Sequence, residues 1–156
     1  MAAPNSGTYS FLSVTAAIAG PGGSFSLSSA GVGDGGIRIA MTQDKNRMNI
    51  GAAGDGMHSM IAAKAGRITV SLLKTAPGNA QMSQLYRYQQ NTPSTWGQNV
   101  ISIANPVTGD AINCSACAFV KQSDIVYSTE GGMNEWIFES INVDEVLGNS
   151  FSNTGI

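Results

Sequence analysis

The chain has 156 residues, of which 42% are hydrophobic and 12% charged, and its formal net charge is -2. This length suits one domain with a modest core. The eight basic residues are scattered, which argues against a protein that binds nucleic acid through its phosphates, because that task needs clustered Lys and Arg. No stretch approaches the roughly 18 consecutive apolar residues of a membrane helix, and no basic segment precedes an apolar run. We therefore expect a protein that is made and kept in the cytosol.

The first part of the chain contains two strand patterns. Residues 1–7 are small and polar, and we expect them to form a loose end, as we do residues 147–156. Apolar residues alternate from Thr8 to Ile18, which predicts a long first strand. After a Gly-rich loop with room for one short strand, residues 36–42 predict a second strand.

Residues 43–65 follow a different pattern, with two short alternating stretches separated by a Gly-Asp-Gly turn signal. This pattern predicts a projecting arm in the form of a hairpin. Its apolar side chains outnumber those that an idle loop needs, and they are Met48, Ile50, Met57, Met60 and Ile61. Since Met fills irregular gaps, we expect them to meet a partner surface. Charged residues around them can set the register of that contact, and these are Asp44, Lys45, Arg47, Asp55 and Lys64.

The centre of the chain passes from a strand pattern directly into the only helix pattern. Alternation over residues 67–74 is typical of a half-buried strand. Apolar residues then recur at helical spacing, which predicts a helix from about Gly78 to Asn91. The stripe that should face the core consists of Met82, Leu85, Tyr86 and, more weakly, Gln89.

Further strand patterns complete the chain. They cover residues 100–104, 111–121, 124–128 and 133–143. Seven or eight strands with one helix predict a single, mainly β (α+β) domain, either a two-sheet β-sandwich or a small barrel with the helix on its flank.

The residues that carry chemistry are few. Cys114 and Cys117 lie three apart in a predicted strand, so we expect them to point to opposite faces and to share neither a disulfide nor a metal. His58 is the single histidine and has no recognisable catalytic partner in the sequence. We therefore predict no catalytic residue, no cofactor and no metal site, and interpret the chain as a protein other than an enzyme.

Several stretches together resemble the tail tube proteins of contractile-tailed bacteriophages. The similar stretches are residues 9–27, 36–39, 44–58, 70–80, 96–99 and 130–138. They occur in order over nearly the whole chain, and the longer ones are fairly specific.

This resemblance implies a fold, an assembly and a set of partners. The fold is a β-sandwich with one flanking helix, shared with the tube proteins of type VI secretion. The implied assembly is a stack of hexameric rings that forms a hollow tube in the virion, built in the host cytoplasm and used to deliver the genome. The implied partners are other copies of the chain, the tail sheath protein and, transiently in the lumen, the tape-measure protein and viral DNA. No membrane insertion of the subunit is implied.

Two surfaces follow from that expectation. The arm, residues 43–65, is predicted to stack one ring on the next, since tube proteins place a loop there against the adjacent ring. The bore should be polar and neutral to acidic, because basic side chains would hold phosphates. Glu135 and Glu139 lie opposite Trp136 and Phe138 on the last strand, and we predict that they line the bore. Apolar residues on the same predicted face weaken that assignment, and they are Ile137, Ile141 and Val143.

A ligand-binding β-sandwich, such as a carbohydrate-binding or fibre domain, is the alternative. In that case Tyr86, Tyr88 and Trp96 would form an aromatic platform for the ligand.

Overall fold

The computed structural model describes residues 7–27 and 32–148. Most of the two predicted loose ends therefore lies outside the described residues. The elements are β1 Thr15–Gly20, β2 Gly23–Ser26, β3 Val32–Met41, β4 Asn46–Ile50, β5 Gly56–Met60, β6 Gly66–Leu73, α1 Gly78–Gln90, β7 Asn99–Asn105, β8 Asp110–Phe119 and β9 Met133–Val146, with 3-10 turns at Phe11–Ser13 and Pro93–Thr95.

Seven of these strands form one antiparallel sheet in the order β2-β1-β7-β8-β9-β6-β3, and β4 pairs with β5 in a separate two-stranded sheet. The predicted mainly β fold with one helix is confirmed. Ile37 and Ile39 of β3 line one depression together with Ile103 of β7 and Ile112 of β8. In a flat sheet β3 and β7 would lie roughly 19 Å apart, at about 4.8 Å per strand. The large sheet is therefore curled around its core.

Two predicted strands differ from the observed ones. The first strand begins at Thr15, because residues 11–13 form a 3-10 turn in which the Ser10 hydroxyl accepts a hydrogen bond from the Leu12 amide at 3.2 Å. The strand predicted over residues 124–128 is wrong, since this segment is irregular. Ile125, Val126 and Tyr127 are all exposed. The segment therefore lacks the one buried side that a half-buried strand has.

The helix lies on the core as its stripe predicts. Met82, Leu85 and Gln89 are buried. Gln89 is buried because its amide forms a reciprocal pair with that of Asn99, with N···O distances of 2.6 and 2.9 Å. Asn99 also donates to the Cys117 carbonyl at 3.2 Å, and Gln89 donates to the Pro21 carbonyl at 3.0 Å. Every buried amide group here therefore has a partner, which joins α1 to β7 and β8.

The prediction that the two cysteines point to opposite faces is wrong, because Cys114 and Cys117 are both fully buried in the core, where both are free thiols. The reason is a local break in alternation at Ala116, which has a left-handed backbone with φ of 52°. The opposite stretch of β9 breaks at the same level, where Ser140 and Val143 are both buried. Val143 consequently faces the core, and its predicted place on the face of Glu135 and Glu139 is wrong.

Candidate assembly surfaces

The arm is a regular hairpin with hydrogen-bonded ends. Thr42 donates from its backbone N–H to the Ala65 carbonyl at 3.1 Å, and the Ile61 N–H donates to the Lys45 carbonyl at 2.8 Å. At the tip, the Gly51 N–H donates to the Asp55 carbonyl at 2.7 Å. Gly54 has φ of 92°, which only glycine adopts readily. These bonds define the arm between its base and its turn.

The two faces of the hairpin differ in chemistry. Cross-strand partners share a face, and the register pairs Met48 with His58 and Asn46 with Met60. A contact between the side chains of Asn46 and His58, at 3.0 Å, agrees with this assignment. We call this side the apolar face, and its members are Asn46, Met48, Ile50, His58 and Met60. The other face carries Arg47, Asn49, Met57 and Ser59.

The apolar face lies open. All three of its large apolar side chains are exposed, and Met60 reaches 83%. Ile61, which was predicted to belong to the contact surface, is half-buried at the base of the arm. A surface of this kind on a two-stranded hairpin is typical of a contact site, since single exposed apolar residues are ordinary but a shared face is not.

Among the described residues, one charged residue of the arm forms an ion pair within the subunit, and the other four do not. Lys64 pairs with Asp144 of β9, with an N···O distance of 3.8 Å. Within the described part of the chain, no ion pair forms at the four remaining charged residues, which are Asp44, Lys45, Arg47 and Asp55. These four charges are therefore available to a partner.

The face of the sheet that carries Glu135 and Glu139 also carries two arginines. Trp136 and Phe138 are buried, whereas Glu135 and Glu139 are exposed on the opposite side of β9. Arg67 of β6 lies directly across from Glu139 and binds it at 2.9 Å.

The register also places Arg38 of β3 on this face, beside Thr69. Two arginines and two glutamates make the face neutral rather than acidic. The arginines were missed because cross-strand partners depend on register, which the alternation within one strand does not specify.

An aromatic platform does not form. The rings of Tyr86 and Trp96 meet edge to face at 72°, with centroids 6.0 Å apart, and Tyr86 packs edge-on against buried Phe119 at 5.4 Å. Tyr88 points elsewhere, since its ring covers Gly22. A sugar stacks on an open flat ring, so this arrangement does not favour the carbohydrate-binding alternative.

The two cysteines are held as neutral thiols. Burial, aided by the charge of Cys117, raises the pKa of Cys114 to about 12. Burial also raises the pKa of Cys117, against a hydrogen bond from Ser140 that lowers it. Thiols are nucleophiles and metal ligands only when ionised. Within residues 7–27 and 32–148, no three His, Cys, Asp or Glu side chains are grouped as a metal site would require.

One further exposed surface lies in the irregular segment that was mistaken for a strand. Val126 and Tyr127 are exposed there, and Tyr127 reaches 86%. Lys74, just after β6, holds the segment, because its ammonium donates to the Val126 carbonyl and lies 3.9 Å from the centre of the Tyr127 ring. Three adjacent apolar residues, which a one-sided strand would not have, are the sequence signal for such a surface.

Comparison with known proteins gives one family and several structures of similar fold. The profile of a family described as bacteriophage PhiTE tail tube protein matches residues 6–148. No curated protein matches the sequence. In the part of the chain that the structure describes, no helix is both long and apolar enough to cross a membrane.

The similar solved structures come from contractile injection systems. A chain of the anti-feeding prophage baseplate is 12% identical, covers 94% of this chain and 97% of its own, and has a TM-score of 0.56. A chain of the anti-feeding prophage tube-terminating cap is 14% identical, with coverages of 90% and 93% and a TM-score of 0.53. A chain of the PVC sheath-tube complex in the extended state is 13% identical, with coverages of 85% and 88% and a TM-score of 0.51. At these identities the likeness concerns the fold alone.

Proposed function

The chain belongs to the family of the bacteriophage PhiTE tail tube protein, and from this premise we propose that it assembles into stacked hexameric rings that form a hollow tail tube. In this proposal residues 1–156 act as one tube domain from which the arm projects. The tube lies in the virion tail, is assembled in the host cytoplasm and conducts the genome into the host.

The open apolar face of the arm carries this proposal. An isolated two-stranded hairpin is marginal in water, and here the large side chains of its apolar face stay more than half exposed in the subunit. Docking on the next ring would bury Met48, Ile50 and Met60, at roughly 25 cal/mol for each square ångström of apolar surface removed from water. The same contact repeats at every subunit of a ring, so weak single contacts add up.

The bore is proposed to be the face of β9 that carries Glu135 and Glu139. Arg67 supports this assignment only because Glu139 holds its guanidinium at 2.9 Å. A paired arginine releases fewer counterions to a passing phosphate than a free one. A neutral face of this kind would let DNA or a tape-measure protein slide through. Relatives in sheath-tube complexes motivate the further proposal that a sheath protein covers the outside.

The experiment that tests the stacking role changes one face of the arm at a time. In the first variant, Met48, Ile50 and Met60 become Ser, and in the control Asn49 and Ser59 of the other face become Ala. A third variant replaces residues 48–61 with a short Gly-Ser turn. We expect the first and third to remain folded but to stop at single rings or monomers, as seen by sedimentation and negative-stain microscopy. Tubes of normal length and stability from the shortened arm would refute the stacking role.

A further inference from the structure

The arm and the segment around Tyr127 lie at opposite ends of the same strands. β6 runs from Gly66, beside the base of the arm, to Leu73, and its register with β9 pairs Leu73 with Met133. Eight residues of strand separate these ends by about 23 Å, at about 3.3 Å per step. The chain enters the arm after Met41, which pairs with Gly66. The arm therefore emerges at one end of the sheet and the segment of residues 120–132 closes the other.

The second end carries an exposed apolar surface that no other part of the described subunit covers. We call it the Tyr127 patch, and its members are Leu73, Val126, Tyr127 and Met133. All four are exposed. Val126 and Met133 line one depression, and Lys74 connects the strand end to Val126 and Tyr127. The patch is thus one continuous surface.

We infer that the Tyr127 patch is the surface on which the apolar face of the arm docks, with arm and patch contributed by subunits of successive rings. This inference rests on the proposed function. A stack of identical rings that all point the same way grows through a head-to-tail contact between two different surfaces. The two surfaces must lie on opposite sides of the subunit, and the arm and the Tyr127 patch satisfy this condition.

Single charges at the two surfaces can pair. Lys64 of the arm is occupied by Asp144, so the arm offers two basic and two acidic residues, whereas the end that carries the patch has Lys74, Lys121, Asp124 and Glu130. Lys121 is already occupied by Asp124 at 3.6 Å. Lys45 of the arm and Glu130 beside the patch belong to none of the ion pairs of the described residues, so these two opposite charges can meet across the contact and fix its orientation more than its strength.

The patch is also fixed before binding. The Lys74 N–H donates to the Gly132 carbonyl at 3.2 Å, and the Lys74 ammonium holds Val126 and Tyr127. An exposed Tyr that is already held costs little side-chain entropy on docking, and Tyr is frequent among residues that dominate binding energy. Met side chains of the arm are flexible and can fit around such a ring.

The first experiment compares Tyr127→Asp with Tyr88→Asp. Both tyrosines are exposed, at 86% and 57%, and the two substitutions make the same change in size and charge. We expect Tyr127→Asp to form rings without tubes and Tyr88→Asp to form tubes, with unchanged circular dichroism in both. Normal tubes from Tyr127→Asp would overturn the inference and leave the proposed tube function intact.

The second experiment mixes two variants that cannot elongate alone. The subunit with the shortened arm keeps its patch, and Tyr127→Asp keeps its arm. Their mixture can form one arm–patch contact, so we expect paired rings that grow no further, whereas each variant alone gives single rings. Paired rings in either variant alone would indicate an arm-to-arm or patch-to-patch contact and overturn the inference.

Cross-linking tests the contact directly and does not depend on blocking assembly. Cys114 and Cys117 are fully buried, so added surface cysteines react selectively. Assembled tubes of Met60→Cys/Tyr127→Cys should give a ladder of disulfide-linked subunits under mild oxidation, and neither single variant should. A double variant that forms tubes without a ladder contradicts the inference, and wild-type protein without tubes contradicts the proposed function itself.

Discussion

The large sheet and the arm are built from the same kind of sequence, antiparallel strands with alternating apolar residues, yet only the sheet is covered. In the sheet, residues such as Ile68, Val70 and Phe138 are completely buried. In the arm, Met48 and Met60 occupy equivalent alternating positions and stay exposed. The contrast shows that alternation predicts which side of a strand is apolar but not what covers it. For the arm, we propose that the cover comes from a subunit of the next ring.

The largest expected effect on the body of the protein comes from Phe138→Ala. Phe138 is fully buried and stacks against Phe119 with centroids 4.4 Å apart. Removing a buried aromatic ring costs about 3–5 kcal/mol in the free energy of unfolding. Urea denaturation of the subunit measures this loss. Replacing Met60 by Ala in the arm is the matched comparison, and we expect a change within about 0.5 kcal/mol. Similar losses from both substitutions would contradict the division between body and arm.

The next effect concerns the polar joint between α1 and the sheet. Asn99→Ala removes both hydrogen bonds between the side-chain amides of Asn99 and Gln89, so the Gln89 amide keeps only its bond to the Pro21 carbonyl. A buried group left unsatisfied costs about 1–3 kcal/mol. Adding Gln89→Leu to Asn99→Ala removes the stranded group, so the double variant should lose less than the sum of the two single losses. Strict additivity in this cycle would show that the two amides do not act as a unit.

The fold could largely be predicted from the sequence where alternation and helical spacing are strong. The helix and the strands of residues 67–74 and 100–104 are examples, since their buried faces follow from local periodicity. Features set by the register or by one unusual backbone angle could not be predicted. Ala116 has no sequence mark of its left-handed conformation, and this single angle decides the burial of both Cys114 and Cys117.

The candidate site was predictable in part for the same reason. A hairpin arm with apolar residues follows from its turn signal, and the structure divides it into an apolar and a polar face. The charge partners of the arm and of the bore face were not predictable, because Lys64–Asp144 and Arg67–Glu139 join residues far apart in sequence. The stacking role of the arm and the bore role of Glu135 and Glu139 stay predictions.

A third prediction uses the buried thiols to probe the core without changing its packing. The raised pKa of Cys114 favours the neutral thiol in the folded state. Its contribution is fully present below the unfolded pKa near 9 and is lost as the pH rises towards about 12. We expect the free energy of unfolding to fall by about 1 kcal/mol between pH 8 and pH 10. Urea denaturation at both pH values measures it.

Cys114→Ala is the control for this pH dependence. The variant lacks the titrating group, so its stability should fall less steeply over the same interval, even if it is lower throughout. An unchanged slope would mean that other groups cause the alkaline loss. The arm contains no cysteine. If tubes dissociate at alkaline pH while their subunits stay folded, groups other than the two thiols must cause the dissociation.

The smallest effect on subunit stability is expected for Glu139→Gln, although its effect on the bore should be clear. Its ion pair with Arg67 is about half exposed, and such pairs contribute roughly 0–1 kcal/mol. The substitution frees the Arg67 guanidinium, so the subunit should bind a short DNA duplex more tightly, with a steeper salt dependence by about one phosphate contact.

Glu135→Gln makes the same change in charge but leaves Arg67 paired, since Glu135 lies across from Ser71. Fluorescence anisotropy at low salt compares the two variants. Equal gains in affinity would mean that net charge alone controls DNA binding at this face, and that the Arg67–Glu139 pair has no special part in keeping the face from holding phosphate.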